Sequence, residues 1–160
     1  MRGNLDVAEQ KLAESLKLDS RFDQTYMILG ELYVSTKNYE QAAQVYRKAL
    51  EITPDYVQAQ GTLAYVYAQQ GKLAEAIQAN LTLIKLSPND PSIWNTRKNL
   101  AILYAQSGEM QSALSQAQMA ASLAPTSPTD YRAELTNYVA QLRAQLAAPP
   151  VQTATVPITK

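Results

Sequence analysis

The sequence predicts an all-α fold, a solenoid of antiparallel helix pairs stacked one on the next. Two observations carry that prediction. Apolar residues recur at helical spacing on consecutive segments, as in Tyr26, Leu29, Gly30 and Tyr33, followed by Ala42 and Tyr46. The same skeleton then returns at a near-constant interval. Tyr33, Ala42, Ile52 and Pro54 are answered 34 residues on by Tyr67, Ala76, Leu86 and Pro88, and 37 residues further by Tyr104, Ala113, Leu123 and Pro125. Read backwards by 34, Ala8, Leu12 and Leu18 fall where Ala42, Tyr46 and Ile52 fall. Repeated apolar slots at one period mark a stacked array, in which each unit covers the hydrophobic face its neighbour leaves open.

The elements follow in order. A first helix covers about Leu5 to Lys17, with Leu5, Ala8, Leu12 and Leu16 on one stripe and Asn4 as its N-cap. By register it is the second helix of a repeat whose first helix is missing. The chain therefore reads as a piece of a longer array, with a half repeat at 3–20. The next helix spans about 24–36. Asn38 caps its partner, with Gln41 three residues on as in a capping box, and Pro54 stops that helix after Ile52. Asp55 caps a helix reaching about Gln70, Gly71 supplies the turn, and the partner runs over about 73–86 before Pro88. In the third complete repeat Asp90 is the expected cap and Pro91 the first helical residue. The three residues beyond the standard period are expected to lengthen this helix through Ser92, Ile93 and Trp94. Its partner runs from about Met110 to Leu123. Ser127-Pro128-Thr129-Asp130 then opens a capping helix at 128–148, whose stripe is Tyr131, Leu135, Tyr138, Leu142 and Leu146. Residues 149–160 hold three prolines and no period, and are expected to be disordered outside an array that covers 1–148.

The stretch from Asp23 to Tyr56 resembles the tetratricopeptide repeat, a helix-turn-helix unit of 34 residues, with Tyr26 where tryptophan is commonest and Tyr46 where phenylalanine is. The copy at 57–90 keeps Leu63, Ala64, Tyr67, Ala76 and Pro88 but has Gln60 and Asn80 in the aromatic slots. The copy at 91–127 keeps Leu100, Ala101, Tyr104, Ala113 and Pro125, with Ala117 in the second aromatic slot. The resemblance covers roughly 3–127 and implies a right-handed superhelix whose first helices line a concave groove. In that family the groove holds an extended peptide or a helix of a partner, so the implied function is protein–protein recognition as a scaffold or adaptor.

Residues about 100° around the wheel from the packing stripe are the candidate groove. They are Gln24, Met27, Glu31 and Val34 in the first complete repeat, Gln58, Gly61, Tyr65 and Ala68 in the second, and Asn95, Lys98, Ile102 and Ala105 in the third. Thr62 and Asn99 join them by the family's clamp positions. Chaperone-binding members grip a peptide carboxylate with Lys, Asn and Arg. Those slots hold Met27, Glu31 and Thr62 in one register and Gly61, Tyr65 and Asn99 in the next. Glu31 would repel a carboxylate, which argues against a heat-shock cochaperone. Gly61 stands out because glycine inside a helix costs about 1 kcal/mol against alanine. It either opens a notch beside Tyr65 or lets two helices approach closely. Trp94 is either a binding hot spot or an extension of the packing stripe.

Composition narrows the function further. Lys and Arg number 14, Asp and Glu 14, and charged residues make up only 18% of the chain. That balance lacks the clustered basic footprint of a nucleic-acid binder. With neither cysteine nor histidine, disulfides and Cys/His zinc sites are excluded. The absence of cysteine suits a cytosolic chain and a periplasmic one alike. No run of about 18 apolar residues exists to insert into a bilayer. No nucleophile–base pair or phosphate-cradling loop is recognisable, so neither catalysis nor a cofactor is expected. The expected partner is a protein or peptide, with self-association through the open half repeat as a further expectation. The second reading is a regulatory or anchoring array cut from a larger enzyme, such as a glycosyltransferase or a membrane-embedded polysaccharide enzyme.

Overall fold

The structure, a computed structural model, describes residues 7, 10–12, 14–15, 18, 23–126 and 130–148. Seven helices have defined bounds: α1 (Asp23–Ser35), α2 (Tyr39–Ile52), α3 (Val57–Gln69), α4 (Leu73–Leu86), α5 (Ile93–Gln106), α6 (Met110–Leu123) and α7 (Tyr131–Ala147). The described residues before α1 are helical as well, and no strand occurs among the described residues. The substantial contacts are all between consecutive helices, so α1/α2, α3/α4 and α5/α6 form hairpins and α7 closes on α6. The fold is an α-α superhelix. Asn4, Leu5, Ala8, Leu16, Ser127–Thr129 and the tail 149–160 lie outside the described residues.

Small residues let the helices meet. Ala42, Ala49, Ala59, Ala76, Ala101, Ala113, Ala117 and Ala120 all have 0% exposure, and they recur along the seams of every hairpin. With no side chain beyond a methyl, facing backbones can sit at the short end of the usual interaxial range. Larger residues then wedge into the remaining gaps. Tyr46 is fully buried in a cluster with Met27, Ala43, Leu63 and Val66, and Tyr26, Tyr33, Tyr39, Tyr56 and Tyr67 pack around it. A second cluster joins Ala101, Ala113 and Ala117 to Val139 and Leu142 of α7. The stripe of α7 departs from the expected one. Leu146 is 42% exposed, whereas Val139 is buried.

The intra-hairpin turns share one construction. Lys37, Gly71 and Gly108 have φ of 60°, 71° and 84°, and they are related by the sequence period. The backbone N–H after each reaches back five residues: Asn38 to Tyr33 O at 2.8 Å, Lys72 to Tyr67 O at 3.0 Å, and Glu109 to Tyr104 O at 2.8 Å. This is the Schellman closure, which needs a left-handed residue at its centre. It also corrects the expected capping box, because Asn38 makes no side-chain cap. Residue 38 both ends α1 and begins α2, so the first closure sets its backbone. Asp55 is no cap either, since Tyr56 occupies the N-cap position of α3. α7 begins at Tyr131 rather than at 128, and Asp130 is its cap, accepting from the Ala133 N–H at 2.9 Å.

The three extra residues do not simply lengthen a helix. α5 begins at Ile93 and has 14 residues against 13 in α3. Most of the insertion widens the joint before α5, where Pro91 and Ser92 form a turn. Asp90 Oδ1 accepts from Ser92 N at 2.7 Å and from Ser92 Oγ at 2.6 Å. The Asp90 carboxylate therefore organises the turn instead of capping the helix, and these bonds hold its pKa below the ordinary value.

Two substitutions test the packing. A Cβ at Gly30 would lie 2.5–2.9 Å from Tyr46 ring atoms, so Gly30→Ala should cost about 1–3 kcal/mol by overpacking, read as a lower melting temperature. Lys37→Gly removes a left-handed non-glycine residue and should stabilise the fold by about 1 kcal/mol, read in urea denaturation.

Candidate functional site

The first helices of the hairpins, α1, α3 and α5, lie side by side with α7 completing the row. Gln58 Nε2 of α3 donates to Glu31 Oε1 of α1 at 3.3 Å across the first interval. Between α3 and α5 the row opens into a cleft of about 440 Å³, walled by Gly61, Ala64, Tyr65 and Ala68 of α3 and by Asn95, Asn99, Ile102 and Leu103 of α5. Asn80 and Leu83 of α4 are also part of its lining. Between α5 and α7 a second cleft of about 320 Å³ is lined by Lys98, Ile102, Glu134, Tyr138 and Gln141. Ile102 borders both and is 39% exposed. The two clefts thus form one surface along the row.

The groove residues expected from the sequence divide into two groups. Gly61, Tyr65, Asn95, Asn99 and Ile102 come together in the larger cleft, with Ala68, while Lys98 lines the next. Met27 does not belong: at 4% exposure it is packed into the core against α2 and α3. Its long unbranched side chain folds inward from a position that an ideal wheel places outward. Val34 also packs against that core. Gln24 and Glu31 are exposed on α1, and Gln58 and Thr62 lie on α3 outside the larger cleft's lining. Thr62 Oγ1 donates back to Gln58 O at 3.0 Å. Ala105 packs with the cluster beneath α7.

The lining contributed by second helices was missed. Asn80 and Leu83 belong to α4, and no wheel drawn for first helices could include them. The available signal was Asn80 itself, a polar residue in a slot that carries Tyr46 one period earlier. Asn80 is buried, and its Nδ2 donates to Ala76 O at 2.8 Å. Glu134, Tyr138 and Gln141 were likewise invisible to a repeat-based search, because α7 has no partner helix after it among the described residues.

Trp94 is a packing residue. Its ring sits 5.0 Å from that of Tyr131 and packs on the cluster of Ala120, Ala124 and Leu135, anchoring the start of α7. Lys98 Nζ lies 5.7 Å from the Trp94 ring centre, a cation–π distance that draws the ammonium toward the α7 side of the row.

The aromatic residues of the row are held from behind. Tyr39 at the start of α2 meets Tyr65 edge-on, with ring centres 6.4 Å apart. Its polar contact with Tyr65 raises the Tyr65 phenol above its usual pKa, although Tyr65 itself is 48% exposed. Burial similarly raises that of Tyr138. Tyr46 is pushed up to about 12, first by burial and then by the negative charge of Glu31. Its own hydroxyl is buried without a hydrogen-bond partner. An unpaired buried hydroxyl costs about 1–3 kcal/mol, so Tyr46→Phe should raise the melting temperature at pH 7. The pH dependence has a defined sign. The unfolded phenol ionises near 10 while the folded one stays protonated to about 12, so folding stability falls through that window as pH rises. Chemical denaturation of Tyr46→Phe at pH 9 to 12 should show a shallower fall than wild type.

No group of residues suited to hold a metal ion, and no helix long and apolar enough to cross a membrane, occurs among the described residues. The larger cleft is lined by amides, hydroxyls and alkyl groups, with no carboxylate, ammonium or guanidinium. It can hold a ligand through contact area and neutral hydrogen bonds.

Comparison with known proteins places this geometry. Residues 2–57 and 35–100 match two family profiles, both described as tetratricopeptide repeat. The BBSome complex member BBS4 of Bos taurus is 32% identical over 73 residues, 46% of this chain and 14% of that protein. Tetratricopeptide repeat protein 21A of Mus musculus is 32% identical over 74 residues, 46% of this chain and 6% of that protein. The N-terminal acetyltransferase A complex auxiliary subunit NAA15 of Arabidopsis thaliana is 32% identical over 79 residues, 49% of this chain and 9% of that protein. The chain thus spans only a small part of the length of each. Among solved structures, YrrB, described as a TPR protein with an unusual peptide-binding site, matches at a TM-score of 0.73 and 21% identity over 90% of this chain and 70% of that one. A double mutant of MamA RS-1 matches at 0.70 and 16% identity over 92% of this chain and 90% of that one.

Proposed function

The chain is a tetratricopeptide repeat protein, and from that premise we propose that it is a non-catalytic interaction module that holds a peptide or helix of a partner protein in its concave groove. The observation that carries this is the continuity of the two clefts along α3, α5 and α7 through the shared Ile102. A groove running across several helices suits an extended ligand, which contacts each helix in turn. Tyr65 and Ile102 offer exposed contact area within it. Relatives support the coarse reading: BBS4 is a complex member, NAA15 an auxiliary subunit, and YrrB has a peptide-binding site. The NAA15 match also favours the second reading, an array that serves a larger assembly containing an enzyme. For self-association we propose the leading helix, where Leu18 is 90% and Val7 57% exposed. A strict monomer in light scattering at high concentration would remove that part.

The groove is tested with a display library of short random peptides panned against the full chain. Wild type should enrich a defined set. The double variant Tyr65→Ala with Ile102→Ala, both at exposed positions, should weaken those peptides by about tenfold or more, equivalent to about 1.4 kcal/mol. Unchanged affinity would place the site elsewhere.

A further inference from the structure

Gly61 is not explained by the fold. Its φ is not in the left-handed region, unlike those of Gly71 and Gly108, so no turn requires it. Close packing does not require it either. A Cβ there would meet only Leu83 Cδ2, at an ordinary contact distance of 3.6 Å, whereas a Cβ at Gly30 would strike the Tyr46 ring. A glycine in the middle of α3 therefore costs helix stability with no packing return.

What it does is leave space. One period earlier its place is taken by Met27, buried in the core, and Asn80 stands one period after the fully buried Tyr46. The second repeat thus carries small residues at two slots that the first repeat fills with large ones. The clefts of about 440 Å³ and 170 Å³ that open there both include Gly61 and Leu83. Resting on the groove reading above, we infer that this notch takes one aromatic side chain with a donor at its tip, tyrosine or tryptophan, from a locally uncharged and extended partner segment.

The chemistry of the walls selects that occupant. Leu83, Ala64 and Leu103 present alkyl groups to a ring. Asn80 spends one of its two amide N–H donors on Ala76 O, and its oxygen remains able to accept. A leucine or phenylalanine would bury that oxygen unpaired, whereas a phenol or indole donor would satisfy it. A lysine or arginine would find no carboxylate in the larger cleft. Asp90, which lines the smaller cleft, already accepts two bonds from Ser92. An acidic side chain would find no cation, because Lys98 lies over Trp94 and lines the next cleft.

The peptides enriched on the wild-type chain supply the probes. They should share a tyrosine or tryptophan flanked by uncharged residues, and replacing that residue by alanine should weaken binding about tenfold. Gly61→Met, which restores the residue type of the first repeat, should weaken the same peptides about tenfold, with helical circular dichroism unchanged. Gly61→Ala adds only the methyl that the structure accommodates. It should melt at or above the wild-type temperature and lose affinity in the same direction by a smaller factor. Peptides without a shared aromatic residue, or equal affinity for wild type and both Gly61 variants, would overturn the notch. If Tyr65→Ala with Ile102→Ala abolishes binding while the Gly61 variants do not, the groove stands and the notch falls. Failure to enrich any peptide would remove both.

Discussion

The alanine seams are the constraint on which the rest of the molecule depends. At Ala42, Ala49, Ala59, Ala76, Ala101, Ala113, Ala117 and Ala120 the helices meet with no exposed surface left between them. Alanine has the highest helix propensity and carries no rotamer entropy, so these positions favour the helix and its close packing together. A larger residue at any of them would force apart two helices and, through them, the next hairpin. Contacts between sequence neighbours supply almost all the packing, which makes stability a sum of hairpin and interface terms rather than the property of one central core.

The cleft between α3 and α5 is a consequence of how that seam is filled. In the first complete repeat, Tyr46 packs against Gly30 so closely that not even a methyl group would fit. In the second, Ala64 and Asn80 take those two places, and a cleft opens between α3 and α5. The joint before α5 is also wider, with Asp90 and Ser92 organising the turn. Trp94 then ties α5 to the start of α7 through Tyr131. A regular array with irregular residues at a few slots keeps its backbone geometry while changing the surface it offers.

The fold class was legible because it depends on period alone. Repeated tyrosines, alanines and prolines identify hairpins of equal size whatever their exact packing, and prolines mark where helices stop. The lining of the candidate cleft was half legible. Gly61, Tyr65, Asn95, Asn99 and Ile102 project from first helices as a wheel predicts. Met27 did not, because a flexible side chain on the flank of a helix can turn into a core instead of out of it. The caps at Asn38 and Asp55 failed for a different reason. In so short a joint, backbone closure of one helix decides the conformation from which the next begins.

The sequence by itself determined that this chain is a stack of helix pairs in the tetratricopeptide repeat family, because apolar period and turn residues are local properties that need no knowledge of neighbours. It also limited the chemistry, since a chain with no cysteine and no histidine cannot use either. Only the tertiary structure decided which side chains share one space. Asn80 and Leu83 reach the cleft from behind the row that frames it, Trp94 is covered by Tyr131, and Gly61 has room where Gly30 has none. Those outcomes depend on the distance between residues far apart in the chain, set by the summed packing of three helices at once, and no single helix records it.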